Sequence, residues 1–312
     1  MRSSITLMVT LLIGFVSPAS PAQNSAINPL ADQIREQEVA VEKAPGKNDG
    51  EAWLKLAVLC QDAAQYRDSE RAYRRALALL RSKDDATLAD TLDHMGTMYV
   101  ERGQLAKAES LERKALAMRE AEHDLLGEGI SHMHLSVLLL GRRDYSSAEA
   151  EAEIAVSLLA PEQAHHAVQT EGSPEEKMTA LIDLSLARCA RGGCAAAVPD
   201  LRRALGIAQV HYEANSIPVG FLDFLLGYAL WKSGDFDSAE KLMKNGTQEL
   251  STLLGWGHPT YLQALKQYGI FLNQAGHTTE AEEIGARIAK IEKAPGFAQV
   301  QSNRVPGGLD LR

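Results

Sequence analysis

The chain has 312 residues, enough for one long domain or two ordinary ones with a sizeable core. Aromatic residues make up only 5%, while Ala, Leu, Glu and Arg are plentiful, so the composition favours helices and offers little material for sheets. A formal charge of −9 with no basic stripe argues against a nucleic-acid partner, because holding phosphates needs clustered Lys and Arg.

The first element reads as an export signal. Arg2 and the free amine precede an apolar run from Ile5 to Val16, and Pro18-Ala19-Ser20-Pro21-Ala22 sets small residues at −3 and −1 for cleavage after Ala22. The run is shorter than the ~20 residues that a bilayer requires. Residues 1–22 are therefore expected to be a signal peptide, with a retained membrane anchor as the competing reading. The first Cys is Cys60, which argues against a lipoprotein. The expected location is periplasmic or secreted, with no stable membrane anchor on the mature chain.

Residues 23–48 follow as a linker and an N-terminal capping helix, with Leu30, Ile34 and Val41 along one stripe of residues 29–43. A repeating pattern then begins. A large apolar residue precedes a small one, a second small residue lies 12 further on, and a third 7 beyond that. The pattern reads Leu56-Ala57, Ser69, Ala76; Met95-Gly96, Ala108, Ala115; Leu135-Ser136, Ala148, Ala155; Leu184-Ser185, Ala197, Ala204; Leu226-Gly227, Ala239, Gly246; and Tyr268-Gly269, Ala281, with Ile288 as the one departure. Two antiparallel helices cross closely only where the crossing is lined by Gly, Ala or Ser, so the first small residue belongs to a helix A and the others to a helix B. Turns with Gly near the end of helix A support this, as in Arg102-Gly103, Gly141-Arg142-Arg143, Gly192-Gly193, Gly234-Asp235 and Gly276-His277. Repeats are expected at about 50–83, 89–122, 129–160, 178–211, 220–253 and 262–293, and 49–293 forms one solenoid.

These residues resemble the tetratricopeptide repeat signature. The first small residues are spaced 39, 40, 49, 42 and 42 apart, longer than the usual ~34. A period near 42 is similar to the kinesin-light-chain-like subclass, as is Leu254-Gly255-Trp256-Gly257-His258-Pro259 ahead of repeat six. The resemblance implies an all-α, right-handed α-solenoid of about six helix-turn-helix repeats. Three positions depart from the signature: His132 and Asp223 stand where Trp or Leu is expected, and Arg188 where Tyr is. The 49-residue spacing marks an insertion at 160–173, after which Ser173-Pro174-Glu175-Glu176 restarts a helix with a capping box. Glu292-Lys293-Ala294-Pro295-Gly296 stops the last helix, and residues 294–312 read as a flexible tail.

No chemical motif emerges. Phosphate loops, nucleophile elbows, zinc-protease helices and calcium loops are all absent from the sequence. Ser238 and Lys241 match S-x-x-K without its companion motifs, so a surface occurrence at the start of a helix B explains them. His132 and His134 lie two apart on a helix and point in different directions. His165 and His166 sit in the insertion, where a solvated polar loop is the ordinary explanation. The expectation is no catalytic residue, no metal and no cofactor. Cys189 ends a helix A and Cys194 begins a helix B, so a disulfide can cross the turn; the alternative is two small side chains packed in a helix pair.

By resemblance, positions 2, 5, 9, 12 and 13 of helix A line a concave binding face. In repeat five these are Phe221, Phe224, Tyr228, Trp231 and Lys232; in repeat three they include Met133 and Leu140, in repeat four Ile182 and Leu186, and in repeat two Asp93 and Glu101. The groove is thus expected to be acidic at its start and apolar to aromatic further on. The same rings would alternatively pack on the next repeat. Lys232, Lys266 and Asn273 are the few polar candidates on this face suited to a carboxylate, all late in the chain. The implied function is an exported scaffold that binds a partner protein or peptide. A self-associating homo-oligomer is the first alternative, and an enzyme or metal-binding protein with an unrecognised site is the second.

Overall fold

A computed structural model describes residues 29–43, 49–80, 85–162 and 172–294. The predicted signal peptide, the 297–312 part of the tail and His165-His166 lie outside the described residues. All regular structure among the described residues is helical: α1 (Pro29–Lys43), α2 (Gly50–Asp62), α3 (Tyr66–Leu80), α4 (Asp85–Glu101), α5 (Leu105–Glu122), α6 (Leu125–Gly141), α7 (Tyr145–Leu159), α8 (Pro174–Ala190), α9 (Cys194–His211), α10 (Ile217–Lys232), α11 (Phe236–Leu254), α12 (Pro259–Gln274) and α13 (Thr278–Glu292). The fold is an all-α solenoid of helical hairpins, and α1 is the expected lone helix packed on α2.

The chain divides between Ser131 and His132 into an N-terminal and a C-terminal compact unit. In the N-terminal unit α2 pairs with α3 and α4 with α5, and α3 stacks on α4. In the C-terminal unit α8 pairs with α9, α10 with α11 and α12 with α13, and each hairpin stacks on the next in order.

The small residues stand where the repeat pattern puts them. Ala57, Ala76, Ala108, Ala115, Ala148, Ala155, Ala197, Ala204 and Ala239 are fully buried. A Cβ on Gly227 would lie 2.8 Å from the Met243 amide nitrogen, and one on Gly246 would lie 2.6 Å from the Phe224 amide nitrogen. Those are backbone atoms and cannot step aside, so α10 and α11 cross at a distance only glycine allows. The capping box holds as well: Ser173 Oγ accepts from the Glu176 amide at 3.2 Å, and the Glu176 carboxylate accepts from the Ser173 amide at 2.7 Å.

One turn differs from expectation. Gly103, Gly192, Gly234 and Gly276 adopt positive φ, but in the turn after α6 the left-handed residue is Arg143 (φ 62°), and Gly141 ends the helix. The Asp144 side chain, accepting from the Ser147 amide, caps α7 directly behind it. That fixed start places the reversal one residue before the cap rather than at the glycine.

Candidate functional site

The acidic pair expected in the groove is buried in the N-terminal unit and engaged by neighbouring side chains there. Asp93 on α4 is 5% exposed and accepts from Arg119 Nη1 at 2.5 Å. Arg119 reaches over from α5 and also donates to Asp90 at 2.9 Å, to Ser131 Oγ at 2.6 Å and to the Gly127 carbonyl at 3.1 Å. Glu112, also from α5, enters the space left by the missing Cβ of Gly96; a Cβ there would lie 2.5 Å from its Oε1. Burial pushes the Glu112 carboxyl up to about 7, against a hydrogen bond with Asp93 and the Arg119 charge, both of which lower it. Glu101 is buried too. It accepts from Gln61 Nε2 at 2.8 Å, and Gln61 accepts from the Tyr73 hydroxyl at 2.6 Å. Burial raises the Glu101 carboxyl to about 7. Neither carboxylate faces an open groove, because a helix B arginine and a helix A glutamine have already engaged them.

The apolar set is likewise buried, which corrects the expected groove. Met133, Leu140, Ile182, Leu186, Phe221, Phe224, Tyr228 and Trp231 are all 8% exposed or less. Trp231 shows the reason. Its indole meets Phe271 of α12 edge-on with ring centroids 5.9 Å apart, and its N–H donates to Gln274 at 3.1 Å. Tyr228 packs edge-on against Trp231, and Phe236 and Tyr268 stack on Phe271. Consecutive hairpins bring one helix A against the next, and aromatic side chains on that face close the joint between them. Phe271, fully buried at the centre, was missed by sequence reasoning. Its signal was present: Tyr261, Leu265, Tyr268 and Phe271 recur at helical spacing along α12.

The departures from the repeat signature hold polar ties. Arg188, in place of Tyr, reaches Glu149 and Glu153 of α7 at 3.4 and 3.1 Å and Asp200 of α9 at 2.5 Å. His132 pairs with Glu151 at 2.6 Å. Asp223 is half-buried on α10, and burial raises its carboxyl. Cys189 and Cys194 are joined as a disulfide across the α8–α9 turn, with Cα atoms 4.1 Å apart, and Cys60 is a buried free thiol.

The last hairpin carries an open cleft of about 520 Å³ between α12 and α13. Ile270, Ile284 and Ile288 form its floor with Gly269, Ala281 and Gly285, while Lys266, Asn273, Thr278 and Glu282 form the rim. Ile270 is 46% exposed. The 42-residue period between Gly227 and Gly269 explains the opening. Lys266, Ile270, Asn273, Thr278 and Gly285 occupy the places of Phe224, Tyr228, Trp231, Phe236 and Met243 in the preceding hairpin. Four rings and a thioether that close the previous joint have become smaller or polar side chains. Lys266 and Asn273, two of the polar candidates read from the sequence, therefore do line a cavity; Lys232 instead lies 3.8 Å above the Trp231 ring, where burial lowers its ammonium.

Residues 49–121 match the tetratricopeptide repeat family model. Among solved structures, that of apo RapI is similar at 13% identity with a TM-score of 0.64, covering 84% of this chain and 90% of that one. A Rap protein complexed with competence and sporulation factor is similar at 15% identity and a TM-score of 0.54, covering 89% of this chain and 82% of that one. The nearly identical repeats of a Podosopora anserina protein designated a kinesin light chain are similar at 17% identity and a TM-score of 0.52, covering 67% of this chain and 97% of that one. No curated protein sequence matches the chain. The first two hairpins thus match tetratricopeptide repeats, and the solved structures share the helical-hairpin fold of the chain.

Proposed function

We propose that the chain is an exported interaction scaffold that docks a partner protein or peptide on the open face of its last hairpin. The observation that carries this reading is the α12–α13 cleft, an apolar floor with a charged rim at the place where every earlier hairpin of the C-terminal unit receives another helix. A half-exposed isoleucine beside unfilled volume gains from being covered, and Lys266 and Glu282 at the rim can orient whatever covers it. The fold-level likeness to a Rap protein complexed with a factor agrees with a docking role, and export follows from the apolar run Ile5–Val16 ahead of Ala22. The reading assigns the chain no reaction and no cofactor.

The test is affinity capture from the native cell envelope, comparing the chain with a variant carrying both Ile270→Glu and Ile284→Glu. Both side chains are partly exposed, so the variant should fold, and circular dichroism checks that it does. The expected result is one or more proteins held by the parent chain and lost with the variant. The captured chain should start at Gln23. Equal capture by both would remove the cleft from the function, and an intact Met1 on captured chain would remove cleavage of the signal.

A further inference from the structure

Resting on the reading that this cleft docks a protein, we infer that its occupant is the same face of a second copy, so that the scaffold is a two-fold homodimer joined through its last hairpins. Apolar side chains left half-exposed beside open volume gain from being covered. Here Ile270 is 46% exposed, and Ile284 and Ile288 are partly exposed above a cavity. Gly285 has open space where a Cβ would stand, so a facing helix can approach to backbone distance there.

The charges select the second copy over other partners. Lys266 pairs with Glu292 at 2.7 Å, which fixes it at the end of the cleft where α13 finishes. Glu282 lies ten residues earlier on α13, about 15 Å away at a rise of ~1.5 Å per residue, beside Asn273 and Thr278. One face therefore carries the Lys266–Glu292 ion pair at one end, the Glu282 carboxylate at the other and isoleucines between. An isologous pair exchanges the two ends about its axis, and Lys266 then meets Glu282 of the second copy twice over while the isoleucines meet across the middle. The Lys266–Glu292 pair is about 40% exposed on both sides, so little is lost when Lys266 turns to a new partner.

Two helices of 16 and 15 residues offer a small face, below the ~800 Å² per partner of a standard interface. The dimer should accordingly be concentration-dependent, with dissociation in the range of about 10 µM. Sedimentation equilibrium on the mature chain between about 1 and 200 µM should show a reversible monomer–dimer equilibrium. Lys266→Glu and Glu282→Lys should each weaken it about tenfold, by setting like charges face to face. Mixing the two variants should restore the parent affinity as a heterodimer, since each then supplies the charge the other lacks. A monomer at every concentration, or a dimer indifferent to both reversals, overturns the inference; so does a mixture that fails to associate.

A photo-crosslinking residue in place of Ile270, used in the native host, separates this inference from the scaffold reading. An adduct of twice the chain mass supports the homodimer. An adduct with a different protein refutes the homodimer and leaves docking at the cleft standing, whereas no adduct of either kind removes both. A chain ended at Lys293 that dimerises where the full chain does not would assign the face to residues 294–312 instead.

Discussion

In the N-terminal unit α4 and α5 are tied by ion pairs and hydrogen bonds that converge on Arg119, Asp93 and Glu112, none more than 5% exposed. In the C-terminal unit α10 and α12 meet through Trp231, Tyr228 and Phe271, with the indole N–H donating to Gln274. The helical hairpin is the same in both, and so are the small residues at its crossings. What differs is how the remaining space is filled. An aromatic joint gains from burial itself, whereas a buried carboxylate is tolerable only with its partner in place. The crossing geometry thus constrains a few positions tightly and leaves the rest of the joint free to vary in chemistry.

Matched deletions give the largest effects. Arg119→Ala should destabilise the N-terminal unit by about 3–5 kcal/mol, because Asp93 and Glu112 stay buried with their counter-charge gone. Phe271→Ala should cost the C-terminal unit about 3–5 kcal/mol through lost burial and a cavity. The two should part with pH: the Arg119 deficit shrinks toward pH 5 as the stranded carboxyls protonate, and the Phe271 deficit does not. Chemical denaturation of each variant at pH 5 and pH 8 decides this, and equal pH behaviour would break the contrast between the units.

The disulfide is next. A loop this short should stabilise the C-terminal unit by about 2 kcal/mol through chain entropy. Thiol titration of the unfolded, unreduced chain should find one thiol, Cys60, and reduction should raise that to three while lowering the melting temperature of the C-terminal unit alone. Three thiols before reduction would show the bridge absent.

A further effect concerns Glu101. Its carboxyl stands at about 7 in the folded chain against an ordinary 4.5, so the folded state holds a proton that the unfolded chain has released. Its stabilising contribution is complete below about pH 4.5 and is lost as pH rises through 7. Glu101→Gln should therefore flatten the fall in N-terminal-unit stability between pH 5 and pH 8, leaving stability near pH 5 almost unchanged. Melting curves that fall as steeply in the variant as in the parent would remove Glu101 as the source.

Much of the architecture was legible in the residues alone. Ala57, Ala108, Ala148, Ala197 and Ala239 recur because a close crossing excludes any larger side chain, and that constraint acts at single positions and shows in the sequence. The capping box at Ser173 and Glu176 and the turn glycines are local in the same sense: their partners lie within four residues. The site was another matter. Phe224, Tyr228 and Trp231 sit on the expected face of helix A, yet whether that face meets solvent or another helix depends on α12, some 40 residues downstream. Arg119 neutralises Asp93 from a neighbouring helix at a position for which the repeat pattern specifies no partner. The cleft exists because the large side chains of the preceding joint are exchanged here for Asn273 on α12 and for Thr278 and Gly285 on α13. Local sterics are written into single residues and their near neighbours; exposure is a property of what packs opposite, and only the assembled helices decide it.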